Sequence, residues 1–150
     1  MIYLGADHRG YQLKDKLKEY LTFRGYQIMD MGTNSADAVD YPLIAKAVSE
    51  EVVKDLNNRG ILLCGSAAGI SIAANKIKGV RAGVAWNEKI ATANRNDDNI
   101  NIVCIPADDT DEETAKKIIQ TFLDTSFGGE ERRVRRLKQI EDIENNNLSS

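Results

Sequence analysis

The chain reads as an α/β protein: an open sheet of five parallel strands, helices on both faces, and one more helix appended after the last strand. Three observations predict it. Five short apolar runs alternate with stretches of helical periodicity, the pattern of β-α-β units whose right-handed crossovers lay helices on the faces of a parallel sheet. The third run ends in a thiol that is followed at once by a small-residue turn into a helix, Cys64-Gly65-Ser66-Ala67-Ala68-Gly69. The C-terminal stretch, residues 130–144, is charged and helical in pattern, and no strand follows it.

Taken in order, residues 2–6 (IYLGA) form the first strand, and residues 10–23 place Leu13, Leu17, Tyr20 and Leu21 on one helical face. Residues 26–30 (YQIMD) are the second strand; a loop from Gly32 to Asp40-Tyr41-Pro42 leads into a helix carrying Ile44, Ala45, Val48, Val52 and Val53 at helical spacing. Residues 61–64 (ILLC) are apolar at every position, as in a strand buried on both faces. The helix after them begins near Ile70. Residues 80–86 (VRAGVAW) and 101–105 (NIVCI) are the last two strands, with helices over 88–95 and 111–123. A Gly128-Gly129 hinge precedes the final helix, and an appended charged helix of this kind reaches a neighbouring subunit, so a homodimer is expected.

Composition bounds the function. With 150 residues, 42% hydrophobic and 29% charged, the chain makes one domain over 1–150, with a flexible tail expected from about residue 145. Cys64 and Cys104 both lie in apolar runs and read as reduced thiols, which points to a cytoplasmic protein; no leader pattern or membrane-length apolar stretch is present. A net charge of -3 argues against nucleic acid as a partner, although residues 132–138 form a local basic cluster. A metal-dependent signalling module is also disfavoured, because Asp7 beside His8 and Arg9 makes a poor magnesium site. No metal or cofactor is expected.

Ligands of open parallel sheets bind beyond the C-terminal strand ends. Cys64 stands at such an end, and the amides of residues 65–69, backed by a helix start, suit an anion or a developing oxyanion. Cys64 is thus a candidate base or nucleophile, although an inert small hydrophobe would also fit a strand end. The first strand delivers Asp7 and the only histidine, His8, to the same region. Their segment, GADHRG, lacks the G-x-G-x-x-G spacing of a dinucleotide site and the Gly-Lys-Ser/Thr of a P-loop; taken alone, a helix cap and a satisfied histidine account for it equally well. Asp40 is either a ligand-orienting carboxylate or the cap of its helix. Arg132 and Arg136, at i and i+4, present two guanidinium groups on one face, as a phosphate requires. A solvated basic face paired with Glu130, Glu131 and Glu141 is the alternative.

The ordered set GADHRG, DYP, ILLCGSAAGISIAANK and an arginine-rich last helix resembles the ribose 5-phosphate isomerase B and galactose 6-phosphate isomerase family over residues 2–143. That resemblance implies a Rossmann-like three-layer sandwich, a homodimer or dimer of dimers with interfacial sites, and metal-free aldose-ketose isomerisation of a sugar phosphate. It maps the base onto Cys64, the anion loop onto Gly65, Ser66, Ala67, Ala68 and Gly69, the substrate-contacting pair onto Asp7 and His8, and the phosphate arginines onto Arg132 and Arg136. Asp40 and Tyr41 belong to the DYP element. Ribose 5-phosphate/ribulose 5-phosphate is the expected pair, with tetrose or hexose phosphates and a non-catalytic binding role as alternatives. The chemistry fits these residue types: one base can shuttle a proton between two carbons while amides, with Ser66, hold the enediolate oxygen.

The chain also departs from the family. Asp97 stands where a ring-opening histidine is expected, so either the substrate is open-chain, the enzyme works from the ketose side, or Asp97 or Asp98 takes the role. Asp108 stands where a phosphate-contacting arginine is usual, and Arg9 and Arg133 are candidate replacements. Ala67 replaces a glycine and is strained if its φ is positive.

Overall fold

The computed structural model describes residues 1–149. Five parallel strands, β1 (Ile2–Ala6), β2 (Ile28–Asp30), β3 (Arg59–Cys64), β4 (Ala82–Val84) and β5 (Ile102–Pro106), lie in the order β2-β1-β3-β5-β4. Helices α1 (Tyr11–Phe23), α2 (Tyr41–Val52), α3 (Ala68–Ala74), α4 (Glu88–Asp98) and α5 (Glu112–Asp124) cover its two faces, and α6 (Glu131–Ser149) follows. This is the expected three-layer sandwich.

Strand periodicity builds two cores. Leu4, Ile61, Leu63, Val103 and Ile105 face α1, α4 and α5, meeting Leu17, Leu21, Ala91, Ile118 and Phe122. Their alternates Tyr3, Leu62, Cys64, Ile102 and Cys104 face α2 and α3, meeting Ala45, Val48, Val52, Ile70 and Ala74. Each large side chain buried this way contributes about 1.5–3 kcal/mol. Cys64 therefore belongs to the α2/α3 face, and a one-residue shift of β3 would turn it toward the other core.

Several element bounds differ from expectation, each for a physical reason. β2 and β4 shrink to three residues because they are the edges of the sheet, with a partner strand on one side only. β3 begins two residues earlier, at Arg59, because both of its neighbours pair with it. α3 starts at Ala68, directly on the thiol loop. α4 runs to Asp98 and closes on Asn99, left-handed at φ 48°, while the buried Arg95 guanidinium bonds Thr125 O, Asn99 Oδ1 and Ile100 O. Burial, then the nearby Arg59 and Arg81, bring Arg95 down to about 10. The Asn-rich stretch expected as a flexible tail continues α6 as far as Ser149; residue 150 lies outside the described residues.

From β1 the chain goes to β2 on one side through α1, then returns across to β3 on the other through α2. The two helices lie on opposite faces, so β1 and β3 stay paired to Ala6 and Leu63 while the loops that leave them part and open a crevice at their C-terminal ends. Asp7, His8 and Arg9 follow β1 there, and Gly65 follows β3.

Candidate active site

At the β1/β3 crevice, Asp7 is buried and its Oδ1 accepts the backbone N–H groups of Arg9 (2.9 Å) and Gly10 (3.1 Å). Asp7 thus ties the turn that precedes α1, whose cap position is Gly10 and carries no side-chain capping bond, so the helix-cap reading of Asp7 is not the one realised. The Asp7 N–H donates to Leu63 O at 3.1 Å, tying the loop to the strand that ends in Cys64. His8 Nδ1 accepts the Val39 N–H at 3.4 Å, which leaves Nε2 as the N–H donor of the neutral ring.

Cys64 is 5% exposed and pairs in register with Pro106. Beyond it Ala67 is left-handed, with φ 66° and ψ -5°, and buried; this is the strain anticipated for a residue with a Cβ there, about 1–2 kcal/mol. The turn aims the chain into α3, and the Ser66 Oγ accepts the Ala68 N–H at 3.3 Å. Ser66 remains exposed.

Two glycines let other loops approach. A Cβ on Gly69 would lie 2.5 Å from Tyr41 Cζ and 2.7 Å from its Oη, so the Tyr41 ring rests on the loop. A Cβ on Gly65 would overlap the Arg9 guanidinium. Arg9 Nη2 is ion-paired with Asp108 Oδ2, and the Asp108 N–H donates to Gly65 O at 3.1 Å. Asp40 occupies the cap position of α2 with Pro42 behind it, but its side chain makes no capping bond.

The loop carrying Val39, Asp40 and Tyr41 is held from beneath by a group that periodicity did not single out. Lys14 is fully buried and donates to Asp30 Oδ2 (2.5 Å), Asn34 Oδ1 (3.1 Å) and Asp15 Oδ1 (3.1 Å). Backbone bonds from Ala6 to Gly32 (2.8 Å) and Thr33 to Ala6 (2.7 Å) anchor the same loop to β1. Burial pushes the Asp30 carboxyl up, but the bonds from Lys14 and the Gly32 N–H outweigh it and hold Asp30 below the usual carboxylate value. Cys104, by contrast, is fully buried; burial, with a smaller effect of Cys64, pushes its thiol up, as befits a core residue.

The remaining predicted residues are not brought to Cys64 within one chain. α4 runs back along the sheet, so Asp97 and Asp98 sit near the N-terminal strand ends. Asp97 is paired there with Arg133 at 3.2 Å and accepts the Asn96 amide at 2.8 Å. Arg132 is paired with Glu130, and Arg136 lies exposed on the same helix. A cleft of about 660 Å³ opens at this end between α6 and the body, lined by Val53, Leu56, Arg59, Arg81, Val134 and Glu141 among others. It holds neither the thiol nor His8. Within one subunit Asp97, Asp98 and Arg133 thus lie away from Cys64, whereas Arg9 lies on the thiol loop.

Among the described residues no acidic, histidine or cysteine cluster could hold a metal, and no helix is long and apolar enough to cross a membrane. Comparison with known proteins places the chain in a family. Residues 2–140 match the Ribose/Galactose Isomerase family. Ribose-5-phosphate isomerase B of Escherichia coli K12 is 35% identical over 146 residues, 96% of this chain and 98% of that protein. The enzyme of the same name from Mycobacterium tuberculosis H37Rv is 35% identical over 144 residues, 95% of this chain and 89% of that one. The crystal structure of the Thermotoga maritima ribose 5-phosphate isomerase superposes with a TM-score of 0.91 at 39% identity, covering 94% of this chain and 97% of that one. The Mycoplasma genitalium ribose-5-phosphate isomerase B with bound ribulose-5-phosphate gives a TM-score of 0.92 at 36% identity, covering 96% and 95%. With a thiol loop, an Asp-His pair and an arginine-bearing last helix set on that fold, this chain belongs to the ribose/galactose isomerase family.

Proposed function

We propose that the protein interconverts ribose 5-phosphate and ribulose 5-phosphate, with Cys64 as the base. The observation that carries the reading is the meeting of Cys64, the left-handed Ala67 turn and Asp7-His8 at one crevice, in a chain whose fold matches that of a relative bound to ribulose-5-phosphate. A thiolate over C1 and C2 removes the proton beside the carbonyl and returns it to the neighbouring carbon. The amides of residues 65–69 hold the enediolate oxygen, each donor contributing about 3 kcal/mol, with Ser66 beside them. His8 Nε2, the open oxygen of Asp7 and the uncapped Asp40 carboxylate orient hydroxyls, and Tyr41 covers the loop.

Phosphate binding completes the site from a second copy. Arg132 and Arg136 stand at the end of the sheet away from Cys64, so a two-fold, antiparallel homodimer is needed to supply them, with a dimer of dimers built from two such pairs. Exposed Leu43, Ile72 and Trp86 in one region, and Leu56, Val134, Ile140 and Ile143 in the other, offer apolar surface for that contact. A thiol base suits a reducing cytoplasm.

One observation favours a second substrate reading. Arg133 and Asn96 already occupy Asp97, so this carboxylate is not set up to open a sugar ring. Ribulose 5-phosphate, whose O5 is esterified, and tetrose 4-phosphates, which lack a free O4, are met as open chains. Solvent deuterium incorporation into ribulose 5-phosphate, ribose 5-phosphate, tetrose phosphates and hexose 6-phosphates, followed by NMR for wild type and Cys64→Ser, tests both. Exchange into ribulose 5-phosphate that disappears in Cys64→Ser is expected; exchange into tetrose phosphates alone moves the assignment there. No exchange into any sugar refutes the isomerase reading.

A further inference from the structure

Three strand ends meet beside the thiol through one ion pair. Arg9, in the loop after β1, lays its guanidinium on Gly65, the residue following Cys64. Asp108, in the turn after β5, takes Arg9 Nη2 on its Oδ2 and is tied by its own N–H to Gly65 O. Neither group is sequestered: the side chains are 52% and 41% exposed, and the bond between them uses one nitrogen of Arg9 and one oxygen of Asp108. The corner therefore offers donors and an acceptor side by side, with no net charge.

That arrangement discriminates between oxygen ligands. A hydroxyl both gives and takes a hydrogen bond, so it satisfies a guanidinium N–H and a carboxylate oxygen together. A phosphate dianion only accepts, and it meets the Asp108 charge on approach. We infer that Arg9 and Asp108 form a neutral clamp for sugar hydroxyls, and that Asp108 is a specificity residue that keeps the Arg9 cation from serving as a phosphate site. The inference rests on the isomerase reading for its substrate, and it leaves the phosphate to Arg132 and Arg136.

The test measures inorganic phosphate binding directly, by titration calorimetry or phosphorus NMR, for wild type, Asp108→Asn, Arg9→Gln and the double variant. Asp108→Asn should bind phosphate roughly three- to tenfold more tightly than wild type, the effect expected when one like charge leaves a partly exposed site. The gain should vanish in Arg9→Gln/Asp108→Asn, and Arg9→Gln alone should stay within about twofold of wild type. Unchanged phosphate affinity in Asp108→Asn overturns the inference, as does a large loss in Arg9→Gln alone. Turnover of ribulose 5-phosphate also splits the cases: the clamp predicts that both single variants raise KM more than they lower kcat. Because phosphate binding is read without turnover, a wild type that isomerises no sugar refutes the proposed function and leaves the charge-clamp measurement intact.

Discussion

Replacing Lys14 by methionine removes the cation of a buried network while nearly preserving its volume. Breaking a buried ion pair from one side costs about 3–5 kcal/mol, because the partner charge is stranded. Here the loss should sit at the low end, about 3 kcal/mol, because Asp30 keeps Lys18 at 3.3 Å and the Gly32 N–H at 2.9 Å. For a domain of this size that lowers Tm by about 6–12 °C. Urea unfolding at one fixed protein concentration is the assay, since self-association would otherwise shift the midpoint. Lys14→Met/Asp30→Asn should recover at least about half of the loss, because no buried charge is then left behind. The pH dependence has a definite sign. Asp30 titrates lower in the folded protein than in the unfolded chain, so its stabilisation is present above about pH 4 and fades as pH falls through the folded value. The gap between wild type and Lys14→Met should narrow on acidification. A loss below about 1 kcal/mol, or a double variant no more stable than Lys14→Met, would refute the account of Lys14 as the clamp beneath the 31–40 loop.

Three further outcomes are expected. Mixing inactive Cys64→Ser with inactive Arg136→Ala subunits should restore about a quarter of wild-type turnover, because half the random dimers carry one intact site; no recovery after verified subunit exchange would place both residues in one chain's site. Cys104→Ala should retain turnover with a stability loss of about 1–2 kcal/mol, and iodoacetamide should label Cys64 but not Cys104 in intact wild type by peptide mass spectrometry. Ala67→Gly should keep stability within about 1 kcal/mol of wild type in urea melts, since relief of the left-handed strain is offset by a lost buried methyl and a more flexible unfolded chain.

The sequence by itself determined the alternation of strands and helices, the two-faced core and the thiol at a strand end. Those follow from local periodicity: Ile61, Leu62, Leu63 and Cys64 must all be buried, and Leu17 and Leu21 must share a helix face. The strain at Ala67 was legible only through the family resemblance, in which a glycine is usual at that position; the structure shows the positive φ there. Tertiary structure decided what lies far apart in the chain. Lys14 reads as one more polar position of an amphipathic helix, yet it is buried against Asp30 and Asn34 because α1 docks beside the end of β2. Arg9 and Asp108 are 99 residues apart and meet because β1 and β5 flank β3. The antiparallel run of α4 carries Asp97 and the start of α6 away from Cys64, so these groups lie at opposite ends of one sheet. Periodicity reports which face of an element avoids water; which charged groups then find one another is settled only when the sheet order brings the strand ends together.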